Sequence, residues 1–190
     1  EIKIILSARS EYLVQGVWTL EINVLNEYVG NYSIWLPVLE GLNPGTRFLE
    51  PIQFNTLGIP ATVDNIIAVG SYNYRTNNLS SFSGRGEEDW QNAIRPDLVA
   101  PGEEIEGPAP NGRYDTKTGT SMAAPHVTGI VGLAFSANPE MTGSDAKKIV
   151  KETAVGSYGK ELYGIANARN VVNAAFDYIP KDNDEETDTK

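Results

Sequence analysis

The sequence predicts an α/β fold, a sheet whose strands are buried on both faces with helices packed against it, preceded by the end of an antiparallel β-sandwich. Three observations lead there. Apolar and polar residues alternate over residues 17 to 24, residues 66 to 70 form an unbroken apolar run, and residues 121 to 137 are small or apolar with almost no charge. Alternation with period two marks a strand with one buried face, a short unbroken run marks one covered on both, and a long uncharged stretch of small residues marks a core helix.

In chain order, Trp18, Leu20, Ile22 and Val24 alternate with Thr19, Glu21 and Asn23. Residues 26 to 31 read as a turn, and Tyr32-Ser33-Ile34-Trp35-Leu36 resumes as a strand that ends at Pro37, because proline cannot donate to a ladder. Residues 12 to 37 are expected to be an antiparallel pair within a larger sheet or sandwich, since two strands alone are marginal. Gly41, Pro44, Gly45, Pro51 and Gly58 punctuate residues 38 to 58, a connector with little periodicity. The boundary between the two organisations is placed near Glu50. Beyond it, Ile66 to Gly70 and Leu98 to Ala100 read as sheet strands, separated by a Ser-, Asn- and Gly-rich loop over residues 77 to 86. The helix over 121 to 137 carries Ala123, Ala124, Gly129, Gly132 and Ala134, which predicts burial all round and close approach by its neighbours. A second helix opens at the capping pattern Thr142-Gly143-Ser144-Asp145 and runs to about Ala154, with Lys147, Lys148 and Lys151 towards its carboxyl end. A third, short helix is expected over residues 167 to 178.

The chain has 190 residues, 41 % of them hydrophobic, enough for one core plus a small satellite sheet. A formal charge of -10 speaks against a nucleic-acid partner, whose backbone is held by clusters of Lys and Arg. No apolar run approaches the roughly 20 residues that span a bilayer, so no membrane association is expected. The absence of cysteine rules out disulfides and thiolate metal sites and leaves the compartment open between a reducing cytosol and a secreted protein without disulfides. Glu1 opens into an apolar pattern with no Met ahead of it, the mark of a processed product or fragment. Residues 180 to 190 are too charged and too poor in apolar residues to pack and are expected to be a disordered acidic tail.

The chemistry concentrates in Gly119-Thr120-Ser121-Met122-Ala123-Ala124-Pro125-His126-Val127. A small-residue turn here delivers a serine to the amino end of a buried helix, where unpaired amides and the positive end of the helix dipole favour developing negative charge. Gly119 permits the close turn, and Pro125 lies where a missing amide is tolerated. This segment resembles the nucleophile motif of the subtilases. The resemblance extends over residues 53 to 178: residues 60 to 70, Ser80-Ser81-Phe82-Ser83-Gly84-Arg85-Gly86, Arg95-Pro96-Asp97-Leu98-Val99-Ala100-Pro101-Gly102 and Tyr163-Gly164-Ile165-Ala166-Asn167-Ala168 stand in that family's order and spacing. The strand pair at 12 to 37 is similar to the jelly-roll-like insertion of the clostridial germination-type subset.

The resemblance implies the carboxy-terminal part of a subtilisin-like parallel-sheet fold. Residues 1 to 50 would end the inserted sandwich and residues 51 to 179 would supply the last part of the catalytic domain. It also implies a bacterial serine endopeptidase acting through an acyl-enzyme at Ser121, whose backbone N–H is one oxyanion donor. The triad Asp and His and the second oxyanion donor, an Asn side chain, fall upstream in the family, so this chain alone is expected to be inactive. The alternative is a catalytically dead, regulatory relative. Thr120 and Met122, beside the nucleophile, and Ile59 and Pro60, aligned with a segment that borders the specificity pocket, are implied substrate-binding positions. Partners implied are a protein or peptide substrate and the missing amino-terminal part, with self-association of the fragment expected from an exposed sheet edge. An extracellular or spore-associated setting is implied as well. No cofactor is expected of the chain. The family often carries calcium, but Asp64, Asn65 and Asn73 fall short of the about six to eight oxygen ligands that ion takes, so the chain itself is assigned no metal.

Two residues have competing readings. His126, the single histidine, lies five residues after Ser121, and at about 100° per residue it points roughly 140° away around the helix, off the face a base must share. It reads as a packed or hydrogen-bonded motif residue rather than a base. Asp97, between Pro96 and Leu98, reads as a satisfied structural carboxylate rather than a displaced catalytic acid.

Overall fold

The computed structural model describes residues 15–23, 33–37, 42–86, 96–158 and 163–179. The chain divides into two compact units, Glu1–Asn43 and Pro44–Lys190. In the first, residues 15–23 and 33–37 contain no assigned strand, and Trp18, Leu20 and Ile22 are exposed. Residues 12–14 and 24–32 of the antiparallel pair expected over 12 to 37 lie outside the described residues.

In the second unit the elements run β1 (Val69–Asn73), β2 (Asn78–Leu79), β3 (Leu98–Pro101), β4 (Ile105–Ala109), a 3-10 turn (Pro110–Gly112), β5 (Arg113–Lys117), α1 (Thr120–Ala137), α2 (Gly143–Glu152), β6 (Val155–Tyr158), β7 (Tyr163–Ile165) and α3 (Ala168–Phe176). The main sheet has the order β2-β1-β3-β7-β6. Its three central strands are parallel, with Gly70 opposite Val99 and Val99 opposite Ile165, and an antiparallel strand closes each edge. β4 and β5 form a separate two-stranded ribbon.

Alternation along β3 sends Leu98 and Ala100 to one face and Val99 to the other. Leu98 and Ala100 pack with Ala123, Val127 and Ala134 of α1, Ile149 and Val150 of α2, and Val171 and Ala175 of α3. Val99 packs with Tyr72 and Tyr163 on the opposite face. This is the doubly covered strand that its unbroken apolar character predicts.

The three expected helices form close to the expected bounds. α2 begins with a reciprocal capping box, the Asp145 N–H donating to Thr142 Oγ1 and the Thr142 N–H to the Asp145 carboxylate. Such a box satisfies two orphan amides at once. Asn167 caps α3 by accepting from the Asn170 N–H.

Two expectations need correction. The first sheet strand is Val69–Asn73, not residues 66 to 70. Asp97 sets its start, accepting from the Ala68 N–H at 2.8 Å while its own N–H donates to the Ala68 carbonyl. The strand then runs on into polar Ser71 and Asn73, which an apolar-run criterion passes over. Ser71 is fully buried, but its N–H donates to Ser83 Oγ and its hydroxyl bonds Ser80 Oγ, and a satisfied serine costs little to bury. The second correction concerns α1, which is not buried all round. Ala123, Val127 and Ala134 are buried, while Leu133 is 51 % exposed and Cβ atoms built at Gly129 and Gly132 would meet nothing within 4 Å. One face of α1 is packed by the sheet, α2 and α3; the other lies open among the described residues.

Candidate active site

Ser121 is the second residue of α1 and is exposed. The N-cap is Gly119, with φ 157 and ψ 161, a backbone conformation that residues with a Cβ rarely adopt. At the second helical position the Ser121 N–H has no i−4 carbonyl within the helix to bond. The following amide is already used, since Met122 N–H donates to the Gly119 carbonyl at 2.9 Å. Pro125 has no N–H, so the carbonyl of Ser121 lacks the donor that position i+4 normally supplies. Both the amide and the carbonyl of the serine are thereby left out of the usual helix ladder.

Position comes from the sheet behind. The Gly119 N–H donates to the Gly102 carbonyl at 2.7 Å, and the Gly102 N–H donates to the carbonyl of Tyr72 in β1 at 3.2 Å. Residue 102 must be glycine: a Cβ there would stand 2.2 Å from Ser71 Oγ and 2.8 Å from the Gly119 carbonyl. The buried serines 71, 80 and 83 therefore form the floor on which Gly102 and the turn into Ser121 rest. A second tie runs from the Glu104 N–H to Thr118 Oγ1 at 2.9 Å. Asn73 Nδ2 donates to Glu103 at 2.7 Å, and Arg75 pairs with Glu104, so the turn after β1 braces the same loop.

Thr120, Ser121 and Met122 are consecutive at the head of α1, with Thr120 and Met122 half-buried. Ile59 and Pro60 occupy a turn ahead of β1, where Ile59 is 91 % exposed. Among the described residues no side-chain hydrogen bond joins them to Ser121. The His126 ring sits one turn along α1, its Nδ1 donating to the Met122 carbonyl at 2.8 Å, which agrees with the hydrogen-bonded reading. Asp97 is only 2 % exposed at its side chain and takes Lys151 at 3.1 Å and Lys147 at 3.8 Å besides the Ala68 amide; it is a structural carboxylate. The Asn73 side-chain oxygen accepts the Arg75 and Thr76 amides and shapes the turn after β1. Among the described residues no group of three or more His, Asp or Glu is placed to hold a metal ion, and no helix is long and apolar enough to cross a membrane.

Three features went unread in the sequence. The ribbon β4–β5, the serine floor and the bracing Arg75–Glu104 pair carry no strong local pattern. The only signal was Gly102 after Pro101, a glycine at a strand end where backbone can approach closely.

Comparison with known proteins places this geometry. A model of the subtilase family matches residues 29–185. The subtilisin of Bacillus pumilus is 38 % identical over 119 residues, covering 60 % of this chain and 40 % of the relative, and subtilisin E of Bacillus subtilis is 37 % identical, covering 60 % and 29 %. The structure of the Clostridium perfringens CspB protease is similar with a TM-score of 0.64 at 41 % identity, over 70 % of this chain and 32 % of that one. The chain thus spans between 29 % and 40 % of the length of these relatives. With a family model covering most of its length and a mixed, centrally parallel sheet carrying the serine helix, the chain belongs to the subtilase family.

Proposed function

We propose that Ser121 is the nucleophile of peptide-bond hydrolysis in the complete protein, and that this 190-residue chain, in which no histidine shares the face of Ser121 among the described residues, does not hydrolyse peptides alone. The observation that carries the reading is the placement of Ser121, exposed at the head of α1 behind a glycine turn anchored to the sheet through Gly102. In the reaction Ser121 Oγ attacks the scissile carbonyl carbon and passes its proton to a histidine upstream of this chain. The carbonyl oxygen becomes an oxyanion facing the Ser121 backbone N–H, and one such donor contributes about 100- to 1,000-fold in rate. The amine leaves with the proton, and water then releases the acyl group from Oγ. Thr120 and Met122, flanking the nucleophile, touch the bound peptide, and Ile59 and Pro60 border its pocket.

In this reading residues 1 to 50 end an inserted sandwich, residues 51 to 179 complete the catalytic domain, and residues 180 to 190 are a solvated tail. The upstream part of the protein covers the open face of α1, where Leu133 and the two glycines lie. The short chain self-associates through that face or through the sheet edge when the upstream part is absent.

The test is turnover of a fluorogenic peptide library by the complete protein, its Ser121→Ala variant and the 190-residue chain. Activity in the first alone supports the reading. Silence in a folded complete protein would replace it with a catalytically dead, regulatory relative.

A further inference from the structure

The turn after β1, the start of β4, β5 and α1 line an open cleft of about 660 Å3, with Tyr74, Arg75, Glu104, Glu106, Thr116 and His126 on its walls. Its charges are unevenly committed. Arg75 pairs with Glu104, and its guanidinium lies 5.4 Å from the centre of the Tyr74 ring. The Glu106 carboxylate has no hydrogen bond or ion pair among the described residues. It stands opposite Thr116 in the β4–β5 ladder, so the two share one face of the ribbon. The His126 Nδ1 is the donor to the Met122 carbonyl, so Nε2 is the ring nitrogen that this bond leaves uncommitted. What the cleft offers is therefore one carboxylate without a partner, a hydroxyl and a ring nitrogen, beside an aromatic ring and a guanidinium paired with Glu104. An anion would meet Glu106 and find Arg75 occupied. A cation on an alkyl stem would find a counter-charge in Glu106, the Thr116 hydroxyl oxygen and apolar surface for its stem.

We propose that this cleft is a subsite for a lysine or arginine side chain of the peptide cleaved at Ser121, with Glu106 as its counter-charge; the inference rests on the peptidase reading above. The distance suits it. His126 lies five residues beyond Ser121 on α1, about 7.5 Å along the axis and on a different face. At about 3.3 Å per extended residue the axial distance takes two to three residues, and passing to another face of a helix about 10 Å across adds one to two, so the side chain belongs to a residue roughly three to five from the scissile bond.

Because His126 is the single histidine, its imidazole C–H resonances report on the cleft without ambiguity. The 190-residue chain is titrated with Nα-acetyl-lysine amide and, in parallel, with Nα-acetyl-norleucine amide, which keeps the stem and lacks the charge. The expected result is a saturable shift of the His126 resonances with the lysine compound and none with norleucine. Glu106→Gln, an exposed ribbon position, weakens the lysine affinity about threefold or more at low ionic strength. No saturable shift, equal shifts with both compounds, or unchanged affinity in the variant overturns the proposal. Binding is read here without turnover, so this failure is distinct from failure of the peptidase reading, which Ser121→Ala in the complete protein decides. In that protein a substrate with lysine three to five residues from the scissile bond is expected to exceed its norleucine counterpart in kcat/KM, a preference that Glu106→Gln erases.

Discussion

Replacing Asp97 by alanine tests how the sheet is tied to α2. The carboxylate is 2 % exposed and accepts the amide of Ala68, itself 3 % exposed, while Lys151 and Lys147 approach from α2 at 3.1 and 3.8 Å. Losing it orphans a buried amide, which costs about 1–3 kcal/mol. The ion pairs contribute less. Lys151 is 44 % exposed and returns to water when released, so the electrostatic loss is about 1 kcal/mol or below after solvent screening. The sum is about 1–4 kcal/mol, and with a urea slope of about 2 kcal/mol per molar it moves the unfolding midpoint by roughly 0.5–2 M. Asp97→Asn keeps an oxygen for the Ala68 amide and is expected to cost only about 1 kcal/mol, chiefly the lost pairing. The assay is urea unfolding followed by far-UV circular dichroism, which reads the three helices. An alanine variant within about 0.5 kcal/mol of wild type, or an asparagine variant as damaging as alanine, would refute the reasoning.

Glycine substitutions separate close approach from open helix surface. Gly102→Ala places a methyl 2.2 Å from Ser71 Oγ, so it is expected to cost about 1–3 kcal/mol by overpacking and to speed amide exchange at Gly119; Gly129→Ala, on the open face of α1, is expected to stabilise the chain by about 0.5–1 kcal/mol. Melting of the two variants checks the contrast, and equal effects would show that the Gly102 contact is not tight. Tyr178→Phe addresses acid stability. The Tyr178 hydroxyl donates to Asp145, and that bond, together with Thr142, holds the Asp145 carboxyl below its ordinary range. A folded pKa depressed below an unfolded value of about 3.9 stabilises above that pH and loses the contribution as pH falls through the folded pKa. The variant is therefore expected to lose stability at neutral pH and to show a shallower acid limb; an acid limb as steep as in wild type would contradict the assignment.

Much of the fold was legible because the relevant residues act locally. Thr142 and Asp145 meet within one turn, so their capping box is written in four residues. Leu98-Val99-Ala100 needs both faces covered, which an unbroken apolar run announces. Ser71 was not legible in that way, since its burial depends on Ser80 and Ser83, nine and twelve residues away. The open face of α1 was misread for a related reason: small residues signal that a neighbour can come close, and say nothing of whether that neighbour is among the residues described. At the site, the serine turn was readable from Gly119 to Val127, whereas the Gly102 contact and the Glu106 cleft arise from segments that only the β1–β3 pairing and the β4–β5 ribbon bring together.

Covalent capture tests the central claim most directly. The complete protein is treated with a fluorophosphonate, which reacts only with a serine activated by a neighbouring base, digested and mapped by mass spectrometry, alongside the 190-residue chain. The account expects an adduct on Ser121 in the complete protein and none on the short chain. An adduct on a different serine, or a folded complete protein that is never labelled, would contradict it.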